Sequence, residues 1–300
     1  MSERISFEDQ ITKNKIKSFF LIGIISVFFL IIGYVISMLF DPSYFFIIMI
    51  ISIIFTLGYT LISYYNSDKI ALASVNAKPA SQNLHRAFFI AAENMALASG
   101  LPMPHLYVMQ SSEINAFASG RDPKHAVICM TSGALERLNK QELEGIIAHE
   151  MSHIANYDIR FMTLTAILIG MISIISEMFL RSLWLSNSDN DKGKSGAILL
   201  IIGLVFAILA PIAAQLVQLS ISRKREFLAD ATGAKLTRYP QGLANALKKI
   251  KHEHLPLNEK RRFNHAIAPL FISDPFKKKI QNIFSTHPDI NERIRRLEAM

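Results

Sequence analysis

His149-Glu150-Met151-Ser152-His153 combines residue types and a spacing that could carry out hydrolysis. On a helix, residues four apart share a face, so both imidazoles can reach a single metal ion. Glu150 follows the first histidine, where its carboxylate can take a proton from metal-bound water. Two histidines do not complete a catalytic zinc site. Three protein ligands plus a water are the usual arrangement, so a third ligand must come from elsewhere. Standing alone, a surface helix that carries two histidines would read the same, and context has to decide.

The elements around the motif favour a helix. Asn139 followed by Glu142 predicts an N-cap with its reciprocal partner, ahead of the apolar residues Leu143, Ile146 and Ile147. Those residues would pack one side and leave His149 and His153 together on another. Upstream, Ser81–Ser99 reads as an amphipathic helix, broken by Gly100-Leu101-Pro102-Met103-Pro104. Leu106–Met109, Ile114–Ala118 and Ala126–Met130 read as short strands, giving an α+β core of helix, small sheet and helix.

The best candidate for a third ligand lies in Arg225-Glu226-Phe227-Leu228-Ala229-Asp230. Glu226 and Asp230 are four apart, hence on one helical face. One carboxylate can bind the metal, and the other can hold a ligand histidine by its second ring nitrogen. That assigns Glu226 to the metal and Asp230 to the histidine, although alone the pair also fits a solvated, salt-bridged turn. Cys129 is the single cysteine, which excludes a thiolate site and an intrachain disulfide, and its apolar setting predicts a buried strand residue.

The composition is that of a membrane protein: 51% of the 300 residues are hydrophobic and only 19% are charged. Four segments are long enough to span a bilayer: Ser18–Phe40, Tyr44–Tyr65, Ile159–Leu183 (with Glu177 and Arg181) and Ala197–Ser220. A charged residue such as Glu177 would sit near the far interface or face a partner or a water-filled cavity. The first segment is longer than a signal-peptide core and reads as a retained anchor. This divides the chain into an arm and apolar hairpin (1–65), a first soluble block (66–158), a second hairpin (159–220) and a second soluble block (221–300). The second hairpin returns Glu226 to the side of His149. Basic residues gather at Lys13, Lys15 and Lys17 and at Arg223-Lys224-Arg225, which predicts a multi-pass protein with both termini and the site cytoplasmic. The net charge of +8 suits anionic headgroups. Nucleic-acid binding is the less economical reading, because no matching fold context accompanies the basic runs.

The order of two spans, H-E-x-x-H, two more spans and E-x-x-A-D resembles the HtpX-type membrane zinc metalloproteases, relatives of the CAAX prenyl endopeptidases. Asn115-Ala116-Phe117-Ala118, His149–Asp158, Arg225–Asp230 and Thr286-His287-Pro288 with Arg293 each resemble a segment of that family. The resemblance covers nearly the whole chain. It implies a zincin-like fold with one Zn2+ held by His149, His153 and Glu226, residence in the inner (cytoplasmic) membrane, and a role in membrane-protein quality control. It also places His287 near the site as a positive partner for the oxyanion. Arg293 would orient His287 or bind substrate, against a solvent-facing role in an arginine-rich helix. Asn115, Ala116 and Phe117 would offer an edge to an extended peptide, or form an internal strand. Asp158 has a cap or histidine-holding reading and a plain helix-end reading. Rival functions are an intramembrane protease, a CAAX-type prenyl protease, an idle scaffold with structural zinc, and a transporter. An intact Glu150 argues against the scaffold, and the uncharged spans argue against the transporter.

Overall fold

The computed structural model describes residues 7–37, 41–167, 203, 223–252, 270–272 and 288–300. The third and fourth apolar segments lie mostly outside these residues, as do Glu177 and His287.

Two apolar helices open the chain, α1 (Phe7–Ser37) and α2 (Phe45–Tyr65), and just ahead of α2 the Asp41 side chain accepts from Ser43 N. Ile11–Tyr34 and Pro42–Tyr65 are long and apolar enough to cross a membrane. On α2 the side chains of Phe46, Ile50, Ile51, Ile54, Phe55, Leu61 and Ile62 are all exposed. A surface of that size and apolarity is unfavourable in water and suits lipid. Where the two helices meet the rest of the chain, Arg121 lies over the Tyr65 ring and Arg160 over the rings of Tyr64 and Tyr157. Such basic and aromatic side chains gather at membrane–water interfaces.

The sheet has four strands: β1 (Lys78–Pro79), β2 (His105–Met109), β3 (Ala116–Gly120) and β4 (Ala126–Thr131), in the order β1-β2-β4-β3. β2 and β4 run parallel, whereas β1 and β3 are antiparallel to their neighbours. β4 is buried along its whole length, Cys129 included. β3 starts two residues later than its apolar run suggests. Asn115 N donates to the Thr131 hydroxyl instead of to a strand carbonyl, although the Asn115 carbonyl still accepts from Thr131 N. The preceding helix, Arg86–Ser99, also starts later than expected, because Ser81 N–H donates to the His85 ring and residues 82–84 form a turn.

The motif helix (Lys140–Ala155) is buried from Glu142 to Ile154, apart from Glu144. Its first turn carries the expected reciprocal cap, with Glu142 N donating to Asn139 Oδ1 at 3.0 Å and Asn139 N to Glu142 Oε2 at 2.8 Å. Against it pack the sheet, the Arg86–Ser99 helix, the glutamate helix (Arg223–Thr237), and the Pro240–Lys251 helix. A Cβ on Gly145 would stand 2.6 Å from Leu243 N, so only glycine lets that last helix approach. The terminal helix, Ile290–Glu298, buries Arg293, Ile294 and Leu297 beneath the same assembly.

Candidate metal centre

Glu226, Ala229, Asp230 and Gly233 recur at intervals of three and four, forming one face of the glutamate helix. That face presses on the motif helix so closely that a Cβ on Gly233 would lie 3.1 Å from His149 N. The two ligand-bearing helices therefore meet nearly backbone to backbone. That close approach brings Glu226 within side-chain reach of the two histidines.

His149, His153 and Glu226 each present one donor atom, and the three atoms lie within 4.8 Å of one another. The two Nε2 atoms are 3.2 Å apart, His153 Nε2 lies 3.5 Å from Glu226 Oε1, and His149 Nε2 lies 3.7 Å from Glu226 Oε2. A tetrahedral zinc ion with bonds of about 2.0–2.2 Å places its donors roughly 3.3–3.6 Å apart. The donor set and its spacing fit such an ion.

Each imidazole is held from behind. His149 Nδ1 lies 3.0 Å from Asp230 Oδ1, and His153 Nδ1 lies 3.1 Å from Asp158 Oδ2. A carboxylate only accepts, so these contacts put the proton on Nδ1 and free Nε2 for a cation. Both aspartates singled out from the sequence thus come to the histidines. Arg293 grips Asp230 with two hydrogen bonds, Nε to Oδ2 at 2.8 Å and Nη2 to Oδ1 at 2.7 Å, and its Nη1 lies 3.4 Å from Glu226 Oε2. At 2% exposure it does not face solvent, which corrects that reading of the arginine-rich helix. Burial works against the Asp230 carboxylate, but Arg293 and the His149 hydrogen bond outweigh it and hold the group down to about 2. Burial also lowers the pKa of His149. For His153 burial again opposes the charge, yet Asp158, Glu226 and Glu150 together raise its pKa to about 9.

Glu150 is 2% exposed, and burial, helped by the nearby Glu226 charge, pushes its pKa up to about 7. The backbone of Ala118 on β3 hydrogen-bonds to it, which sets this strand beside the motif helix. The neighbouring residues of β3 are engaged. The Ala116 carbonyl accepts from Ile272 N at 2.9 Å, Phe117 forms an isolated antiparallel bridge with Phe271, and their rings stack edge-on at 5.4 Å. The side chain of Asn115 accepts from Ala116 N. The edge expected to stand open for an extended peptide at Asn115, Ala116 and Phe117 therefore carries the chain's own 270–272 segment. An incoming strand must displace it. Two further groups escaped the sequence reading: Asn14 and Arg225 both reach Asp158 Oδ1, at 2.7 and 3.4 Å. Arg225 is one of three consecutive basic residues in the sequence, and Asn14 is merely a polar residue at the start of an apolar helix.

Metal uptake follows from these protonation states. A ligand imidazole must be neutral, so a metal ion competes with the proton that His153 holds up to about 9. Raising the pH removes the competitor. Apparent metal affinity, measured by chelator competition, should rise roughly tenfold per unit between pH 6 and 8. A flat profile over that range would mean that His153 holds no proton there for a metal ion to displace.

Residues 82–300 match Peptidase family M48. A "Protease HtpX homolog" of Thermoanaerobacter pseudethanolicus is 44% identical over 304 residues, covering 100% of this chain and 99% of that protein. The protein of the same description from Tropheryma whipplei is 42% identical, covering 97% of each chain. Among solved structures, that of S. mikatae Ste24p aligns with a TM-score of 0.47 at 17% identity, covering 96% of this chain and 66% of that one.

Proposed function

The chain belongs to peptidase family M48 and is a metallopeptidase; from that premise we propose that it is a membrane-bound zinc endopeptidase acting on misfolded or damaged membrane proteins. The observation that carries this reading is the triangle of His149, His153 and Glu226 donors with Glu150 buried beside it. A zinc ion held there supplies Lewis acidity, acidifying water and polarising a peptide carbonyl. Glu150 takes the proton of the attacking water and passes it to the departing amine. A carboxyl group near 7 is suited to both steps at neutral pH. Asp230 and Asp158 keep the imidazoles aligned, and Arg293 keeps Asp230 ionised. His287 is assigned to the oxyanion, where a positive partner lowers the barrier.

The membrane reading is supported by the exposed apolar face of α2 and by the basic and aromatic groups at its end. Only the Asn156–Tyr157 turn separates the end of the motif helix from the stretch that carries Arg160, so the site would sit near headgroup level. At that level a folded soluble protein has difficulty presenting an extended strand, whereas a loop of a damaged membrane protein can do so. The expected substrates are therefore cytoplasmic loops and tails of membrane proteins, and unfolded chains such as casein. Activity confined to prenylated peptides, with none on casein or loops, would replace this reading with a CAAX-type one.

Orientation has its own check. In a Cys129→Ser background, a cysteine at position 188 is expected to react with an impermeant reagent outside intact cells, and one at position 251 is not. The opposite labelling pattern would invert the topology.

A further inference from the structure

α1 carries a polar side chain that a membrane anchor does not need. Asn14 is 4% exposed, although Lys13 and Lys15 on either side are exposed. Its amide donates across the fold, to Asp158 Oδ1 at 2.7 Å and to the Asn156 carbonyl at 2.9 Å. Both partners can only accept, so chemistry fixes which end of the amide faces them. The other oxygen of the same carboxylate meets His153 Nδ1 at 3.1 Å. Anchor and candidate ligand are thus separated by one carboxylate.

Packing makes the same connection independently. Leu21, Ile25, Phe28 and Phe29 of α1 form a buried cluster with Phe161 and Leu164, which lie on the helical stretch that begins at Asp158. Lys15 Nζ stands 4.6 Å over the Tyr157 ring, at a turn where Tyr157 takes a φ of 59°. The first anchor helix therefore braces the segment that carries Asp158 along several turns.

We propose that Asn14 is a positioning residue of the metal centre: through Asp158 it fixes the ring of His153, so that α1 is part of the site's scaffold as well as an anchor. This rests on the ligand assignment above. A carboxylate bound to an imidazole through one oxygen can swing unless its second oxygen is also held, and a swinging partner leaves the ring poorly aimed. Asn14 supplies that hold, together with Arg225. Groups that orient a ligand in this way typically contribute about 10–100-fold in metal affinity.

The test uses the full chain in detergent or nanodiscs, loaded with cobalt(II) or zinc. Asn14→Leu keeps the branched shape and removes the donor. Asn14→Ser is too short to span to Asp158 and can satisfy itself on a carbonyl one turn back, which burdens folding least. Ser26→Ala on the same helix, whose hydroxyl donates to Ile22 O one turn back, is the control. Both Asn14 variants are expected to lose about tenfold in metal affinity by chelator competition and to shift the visible absorption of the cobalt form. Ser26→Ala should do neither. Asn14 variants that fold, melt earlier and yet keep wild-type affinity and spectrum would show a packing residue only and overturn the proposal. A wild-type chain that takes up neither zinc nor cobalt would instead overturn the ligand assignment on which the proposal stands.

Discussion

Glu150→Gln is expected to leave metal binding intact while lowering kcat/KM on casein by about 10²–10⁴-fold, the range that a positioned general base contributes. The amide has the same shape and can still accept from the Ala118 backbone, so the motif helix and β3 keep their contact. What it lacks is a lone pair basic enough to take a proton from water. Removing a carboxyl group raised to about 7 also removes one of the negative charges that hold the proton on His153. Metal uptake in the variant should therefore be equal to or slightly stronger than that of the parent at neutral pH. A folded Glu150→Gln protein with near-parental turnover would eliminate Glu150 as the base and require a different group.

Glu226→Ala acts on the other half of the site. It deletes one corner of the donor triangle and leaves His149 and His153 with their Nε2 atoms 3.2 Å apart. Metal affinity should fall by more than the roughly 10–100-fold that accompanies loss of an outer hydrogen-bond partner, and activity should fall with it. The fold should survive, because Arg293 keeps its two hydrogen bonds to Asp230 and its charge stays paired. His149→Ala and His153→Ala are expected to behave in the same way. Stoichiometric zinc in a folded Glu226→Ala protein would remove Glu226 from the ligand set.

The parts of the site that were legible in the sequence are those encoded by local spacing. Asn139 and Glu142 announced the start of the motif helix, and the i, i+4 intervals of His149/His153 and Glu226/Asp230 put each pair on one face. The expectation that the two faces meet came from an expected second hairpin, which lies mostly outside the described residues; the faces themselves do meet. Arg293 was harder to read because its neighbours mislead: Arg295 and Arg296 pair with Glu292 at the surface, while Arg293 shares the buried side with Ile294 and Leu297. A counter-ion 63 positions away decides that difference, and no local pattern reports it. Asn14 was silent for the same reason, since its partners are 142 and 144 residues distant. The strand pairing at Phe117 also lay beyond reach, because alternation shows that a segment is extended but not what lies beside it.

The 270–272 segment on the outer edge of β3 sets a condition on anything that would pair there. A tethered competitor acts at an effective concentration on the order of millimolar, however dilute the protein. A free chain must compete with that local concentration, so casein and other dissolved substrates are expected to show a high KM. Loops crowded into the same bilayer patch reach comparable local concentrations and can win the exchange. If substrate pairs at this edge, the resident segment raises the concentration of unfolded chain needed for half-maximal cleavage, which favours segments held in the same bilayer over the same segments free in solution.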